Sequence, residues 1–429
     1  MKSSLHKVLH PIAGRPMLLH LLASVAELEP ERQVVVVGAG RDQVERAVEG
    51  TGAVIAVQDR QLGTGHAVRQ AHDALAGFAG DVLILYGDVP LVRAETMRAM
   101  LDRLNRGDDP RAVVLGFRPD DAAAYGRIIA DGQGIIGKMV EYKDADEEER
   151  AVTLCNSGLM AARASDLFVL LDQIGNDNAA GEYYLPDIVM LPGGQSAVIE
   201  TDAWEVAGVN SRAELAGVEA AWQSRRRTEA MRDGVTLVAP ETVFFAHDTV
   251  LGRDVTIEPN VVFGPGVAIA HDVVIHAFSH LEGARVESGA AVGPYARLRP
   301  GARIGAKAKI GNFVEVKKAV VEEGAKVSHL SYIGDATVGA GANIGAGTIT
   351  CNYDGFFKYR TEIGAGAFIG SNSALVAPVK IGEGAIVAAG SVVTREVEAD
   401  ALCLVRPAQE GKPGWAARFR AKMQARKQG

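Results

Sequence analysis

The residues best suited to chemistry fall into two groups far apart in the chain. In the first, Asp88 stands in Tyr86-Gly87-Asp88-Val89-Pro90, directly after the aliphatic run Val82-Leu83-Ile84-Leu85. The glycine lets backbone and ligand approach closely. A carboxylate there suits Mg²⁺, a hard cation usually held by one or two protein oxygens plus substrate phosphates. Gln61-Leu62-Gly63-Thr64-Gly65-His66-Ala67 adds a glycine-rich turn entering a helix, a place for a nucleotide or its phosphates. In the second group, Arg299, Lys317, His329 and Tyr332 interrupt an otherwise repetitive stretch. The two cations could hold a phosphate, and a histidine titrating near neutrality could take a proton from an amine. Each feature also has an ordinary reading: a surface carboxylate, a plain strand-to-helix turn, a solvated side chain on a solenoid.

The elements that must position these groups differ in grammar. From Gln33 to about Asn210, short aliphatic runs alternate with helical stretches: Val34 to Val37, Val54 to Val57 and Val82 to Tyr86. Unbroken β-branched runs suit strands buried on both faces of a mostly parallel, Rossmann-like sheet. Ligands of such sheets gather at the carboxyl ends of the strands, which puts Gln58 and Asp88 on the functional rim. Ser211-Arg212-Ala213-Glu214 reads as a capping box opening a helix whose Leu215, Val218 and Trp222 share one face.

Beyond Leu251 an aliphatic residue recurs every sixth place: Leu251, Ile257, Phe263, Ile269, Ile275 and Leu281, then, after a slip of one, Val286, Val292, Leu298, Ile304, Ile310 and Val316. The series continues through Val321, Val327, Ile333, Val338 and Ile344 and resumes from Ile363 to Val393. This is the signature of a parallel β-helix, with the aliphatic residue inside and small residues at the corners. The break from Thr350 to Arg360 carries no repeat and is polar and aromatic, as ejected loops on a binding face are. The expected division is an α/β domain over 1–211, a connecting helix over 212–232, the β-helix over 233–406 and a basic tail over 407–429.

Composition narrows the partners. A net charge of −8 over 429 residues makes a poor match for nucleic acid or an anionic membrane and favours small ligands. Cys155, Cys351 and Cys403 are widely spaced, without metal-binding or disulfide patterning, which fits a reducing cytoplasm. The first residues lack the apolar stretch of a signal peptide.

Longer strings resemble one family along nearly the whole chain. Among them are Lys7-Val8-Leu9-His10, Tyr125-Gly126-Arg127-Ile128, Gly181-Glu182-Tyr183-Tyr184, Gly208-Val209-Asn210, Gly311-Asn312-Phe313-Val314-Glu315-Val316-Lys317-Lys318, His329-Leu330-Ser331-Tyr332-Ile333-Gly334-Asp335 and Asn343-Ile344-Gly345-Ala346-Gly347-Thr348-Ile349-Thr350-Cys351-Asn352-Tyr353-Asp354-Gly355. The chain is similar to the bifunctional bacterial N-acetylglucosamine-1-phosphate uridyltransferases / glucosamine-1-phosphate acetyltransferases. The resemblance implies a left-handed β-helix that moves acetyl from acetyl-CoA to glucosamine 1-phosphate. It also implies an α/β half that joins the product to UMP from UTP, giving UDP-N-acetylglucosamine for cell-wall synthesis, and a cytoplasmic homotrimer.

By that resemblance His329 is the base, and Arg299, Lys317, Tyr332 and Asn343 hold the sugar phosphate. Ala346, Asn352, Tyr353, Ser371, Ala389 and Arg406 contact acetyl-CoA or its neighbours across subunits. Asp88 and Asn210 match the Mg²⁺ ligands, and Lys7 the phosphate-binding lysine. Gln58, Gly63, Thr64, Tyr86, Gly87, Gly126, Glu141 and Asn156 match the nucleotide-sugar contacts. In the family a first strand and a glycine-rich loop ending in Gly-Thr-Arg-Met precede the lysine motif, and Met1 corresponds to that methionine. Weak uridylyl transfer with intact acetyl transfer is the resulting expectation for a chain made from Met1. Two other readings stay open: a single-function sugar-nucleotidyltransferase with a structural β-helix, and a non-catalytic trimeric scaffold.

Overall fold

The computed structural model describes residues 1–122, 125–178 and 181–428. They form two compact units, Met1–Arg226 and Arg227–Gly429, with Gly429 itself, the end of the expected basic tail, outside the described residues.

In the first unit a short ladder, β1 (Pro11–Ile12) with β2 (Arg15–Pro16), leads into α1 (Met17–Ala26). Then follow β3 (Val34–Val37), α2 (Arg41–Val48), β4 (Val54–Val57), α3 (Thr64–Arg69), β5 (Asp81–Ile84), α4 (Ala94–Leu104) and β6 (Ala112–Phe117). The unit continues with β7 (Arg127–Ala130), β8 (Ile136–Val140), α5 (Glu147–Ala151), β9 (Cys155–Arg163), α6 (Ala164–Leu171) and β10 (Ser196–Thr201), and α7 (Arg212–Arg232) runs past its boundary.

The main sheet has the order β10-β6-β9-β7-β8, with β5 on β9 as well. Strand β6 is buried along its whole length. Its alternate residues serve two layers: Ala112 and Val114 pack with Leu167, Leu170 and Leu171 of α6 on one face. Val113 and Leu115 pack with Met97, Met100 and Leu104 of α4 on the other. Period-two alternation with both faces apolar leaves room for helices on each side.

Two sequence expectations change here. The sheet is mixed rather than mostly parallel, because β9 runs antiparallel to β5, β6 and β7 while only β10 lies parallel to β6. Strands β3 and β4 pair in parallel with each other and stand apart from the main sheet. Between β3 and β5 lies a cavity of about 580 Å³ lined by Val34 to Val37, Leu83 to Tyr86 and Leu21. Val34, Val35 and Val36 are therefore half-buried, not covered on both faces.

In the second unit the six-residue period closes into three parallel sheets, a left-handed β-helix. Leu251, Ile269, Val286, Ile304, Val321, Val338, Ile363 and Ile381 line one sheet. Ile257, Ile275, Val292, Ile310, Val327, Ile344, Ile369 and Val387 line the next. Phe263, Leu281, Leu298, Val316 and Ile333 begin the third. Apart from half-buried Leu251, these side chains are nearly all sealed from solvent, each such burial stabilising by about 1.5–3 kcal/mol. The slips in phase are coils shortened by one residue, which leave the inward column unbroken.

The tail is the exposed helix α8 (Trp415–Gln428), with Trp415 stacked on Phe419 at 5.1 Å. No helix among the described residues is long and apolar enough to cross a membrane.

Candidate active sites

Three loops meet in the first unit. Lys7 sits on a one-turn helix, Lys7–Leu9, and its Nζ donates to Asp88 Oδ2 at 2.6 Å and to Asn210 Oδ1 at 2.9 Å. The Asp88 and Asn210 loops are tied together by the Val209 amide, which donates to the Asp88 carbonyl at 3.0 Å. Glu205, fully buried, accepts from Arg93 Nε at 2.7 Å and from Thr96 Oγ1 at 2.7 Å, clasping the same two segments from behind. Burial alone would raise its carboxyl, but Arg93 and Thr96 outweigh that and hold it below the usual range.

The capping box forms as expected, with the Ser211 amide donating to Glu214 Oε2 at 2.7 Å and the Glu214 amide to Ser211 Oγ at 3.2 Å. The Asn210 amide also donates to Glu214 Oε2, at 2.6 Å. The oxygens of Asp88 and Asn210 thus converge on one cation, here an ammonium, and this hard-oxygen pair fits Mg²⁺.

The remaining nucleotide-sugar residues fall around two cavities. Gln58, Thr64, Tyr86 and Gly87 line the space beside β3 and β5. Gln58 Nε2 donates to the Gly63 carbonyl at 3.2 Å. Gly63 has φ +106°, and a Cβ on it would meet the Tyr183 carbonyl at 2.5 Å, so the turn requires glycine. Burial pushes the Tyr86 hydroxyl up to about 12, with Asp88 and Glu141 adding to the rise against a Thr64 hydrogen bond, so Tyr86 stays a neutral donor. Gly126, Glu141 and Asn156 line a second cavity of about 440 Å³ together with Tyr184 and Asp187. Desolvation raises the Glu141 carboxyl, with Asp144 and Asp187 adding repulsion.

In the second unit His329 and Asn312 occupy facing positions on adjacent coils, and His329 Nδ1 lies 2.6 Å from Asn312 Oδ1. An amide oxygen can only accept, so Nδ1 carries a proton, and in the neutral imidazole Nε2 is then left with a lone pair. On the neighbouring sheet Arg299 follows Leu298, whose partner Val316 precedes Lys317, and Tyr332 pairs with Glu315. Arg299 Nη1 donates to Glu315 Oε1 at 2.7 Å. Lys358, delivered by the ejected loop, pushes the Lys317 ammonium below its ordinary value, and Arg299 adds to that. Such crowding of cations favours an anion between them.

Ala346, Ser371, Ala389 and Arg406 climb one corner. The Gly347 amide donates to the His329 carbonyl at 3.4 Å, Asn372 to Ala346 at 2.7 Å, Gly390 to Ser371 at 2.8 Å, and Arg406 Nη1 to the Ala389 carbonyl at 2.6 Å. Asn343 faces Lys326 on the His329 sheet. Asn352 and Tyr353 sit in the ejected loop, where Asn352 Nδ2 donates to Asp335 Oδ2 at 2.6 Å and Tyr353 is exposed. Asp354 pins that loop by accepting from the Phe356 and Phe357 amides at 2.8 and 2.7 Å.

Comparison with known proteins bears on both units. Residues 1–132 match the MobA-like NTP transferase domain, and residues 248–283 and 360–395 match the bacterial transferase hexapeptide family. The bifunctional protein GlmU of Rhizorhabdus wittichii is 70% identical, that of Novosphingobium aromaticivorans 67% and that of Sphingopyxis alaskensis 66%; each match takes in 100% of this chain and 95% of the relative. The chain belongs to the GlmU family. It is a bifunctional transferase, with a nucleotidyltransferase unit followed by a hexapeptide acyltransferase unit.

Sequence reasoning passed over several residues that the geometry brings forward. Asn312, Glu315, Asp187 and Tyr184 lay inside or beside recognised strings, without roles. Lys358 had as its signal only a cation inside the break in the repeat. For the Arg93–Glu205 clasp no spacing pattern exists, since the partners are 112 residues apart.

Proposed function

We propose that the residues described above divide the two reactions of the family between the units. In the β-helix, His329 Nε2 takes a proton from the amine of glucosamine 1-phosphate as that amine attacks the thioester carbon of acetyl-CoA. Asn312 holds the imidazole in the tautomer that leaves Nε2 free. The sugar phosphate is held by Arg299, Lys317 and Lys358, with Tyr332 and Asn343 orienting the ring. Acetyl-CoA lies along the corner of Ala346, Ser371, Ala389 and Arg406, with Asn352 and Tyr353 of the loop completing its contacts. This corner is exposed in one chain, and a homotrimer sharing sites between subunits is the assembly we assign. The cytoplasm is the compartment we assign, in keeping with three free cysteines.

In the α/β unit, UTP and N-acetylglucosamine 1-phosphate give UDP-N-acetylglucosamine and pyrophosphate. Asp88 and Asn210 would hold Mg²⁺, which supplies charge stabilisation to the reacting phosphates. Lys7 binds phosphate oxygens, Gln58, Gly63, Thr64, Tyr86 and Gly87 serve the nucleotide, and Gly126, Glu141 and Asn156 the sugar.

The observation that carries this reading is the His329–Asn312 pair standing directly below the Ala346 corner, with the Arg299, Lys317 and Lys358 cations grouped on the neighbouring sheet and its loop. Its test is paired assays on one preparation: CoA release with glucosamine 1-phosphate, and pyrophosphate release with UTP and N-acetylglucosamine 1-phosphate. Turnover in the second alone would favour the single-function reading, and turnover in neither the scaffold.

A further inference from the structure

Asp88 Oδ2 and Asn210 Oδ1, the two oxygens assigned to the metal, are both engaged by Lys7 Nζ, at 2.6 and 2.9 Å. A divalent ion bound to both would lie within about 4 Å of that ammonium, where like charges repel strongly. Ammonium and metal therefore compete for one place. The oxygens do not depend on Lys7 for their positions: Val209 ties the two loops through its amide, Glu214 holds the Asn210 amide, and the Arg93–Glu205 clasp braces both segments. Lys7 is the movable partner, since its side chain is 38% exposed and rests on a single helical turn.

We propose that Lys7 is the resident counter-cation of the metal site in the free protein, and that it gives up the two oxygens when a nucleoside triphosphate offers it phosphate oxygens instead. Metal and triphosphate then bind as a coupled pair, because each relieves a cost the other would otherwise meet. This rests on the assignment of Asp88 and Asn210 to the metal. Its consequence is that the nucleotide-free protein resists divalent ions although both ligands are already in place.

The test is Mn²⁺ binding followed by electron paramagnetic resonance, without nucleotide, in the full chain. Lys7→Ala and Lys7→Gln should bind Mn²⁺ roughly ten-fold tighter than the parent, Lys7→Arg should stay near the parent, and Asp88→Asn should abolish the gain. Adding UTP should tighten Mn²⁺ binding by a larger factor in the parent than in Lys7→Ala. If both neutral Lys7 variants bind no tighter than the parent, or not at all, the counter-cation role is wrong. If the gain appears and persists in the Lys7→Ala, Asp88→Asn double variant, the metal assignment itself falls.

Discussion

The two units solve the problem of placing reactive groups in opposite ways. In the β-helix, His329 and its orienting Asn312 are 17 residues apart, one coil, and Arg299–Glu315 and Asn352–Asp335 span nearly the same step, at 16 and 17 residues. In the α/β unit, Lys7 meets Asp88 across 81 residues and Asn210 across 203. Local repetition makes the first site a property of a few stacked coils, each stabilised by its neighbours. Closure of distant loops makes the second a property of the whole unit. A mutation remote from the chemistry should therefore be felt more in the α/β unit.

The sharpest test of that separation is His329→Ala. Acetyl transfer should fall by about a hundred- to ten-thousand-fold, the usual contribution of a positioned acid-base group, while pyrophosphate release stays at the parent rate. Equal losses in both assays would break the comparison by showing that the units are not functionally independent.

Arg93→Ala should come next and affect the other unit. It strands the fully buried Glu205 carboxylate, and breaking a buried pair in this way costs about 3–5 kcal/mol. With the Arg93 side chain 41% exposed, the lower end of that range is expected. Thermal unfolding should show the α/β transition shifted down with the β-helix transition in place, and uridylyl transfer should fall with it. The effect depends on pH. Because Glu205 is held below its usual range when folded, its contribution is present above the unfolded value of about 4.3 and is lost as pH falls through the folded value. In Glu205→Gln this acid-side loss should disappear.

The smallest effect is expected for Asn312→Ala, about ten-fold in acetyl transfer, since the imidazole keeps its place on the coil and loses only its tautomer preference. The pH–rate profile should shift in that variant, whereas a purely structural role for Asn312 would leave the profile alone.

How much of this was legible from residues alone follows the same division. The inward column from Leu251 to Val393 could be traced almost without error, because a β-helix writes its core as a local period and each coil buries its aliphatic residue against the next. The placing of Lys317 beside Arg299 came with the period as well. Gly63 and the Ser211–Glu214 box were readable for the same reason: a positive φ and a helix cap are decided within four residues.

Tertiary structure decided what depends on neighbours far along the chain. The aliphatic runs at Val34 and Val82 look alike, yet whether they join in one sheet is a matter of which edges meet. Here β3 pairs with β4 while β5 pairs with the antiparallel β9. Hydrophobic alternation specifies a face but not a partner or a direction, so a mixed sheet was beyond it. The same holds for the polar groups: Lys358 reaches Lys317 only because a loop leaves the coil, and Glu205 finds Arg93 only because two connections close over the strand ends. Sequence by itself determined the repeat, the caps, the turn glycines and the types of residue able to do chemistry. Folding decided which distant ones share a site, because a contact between residues far apart along the chain depends on distance in space and carries no trace in local spacing.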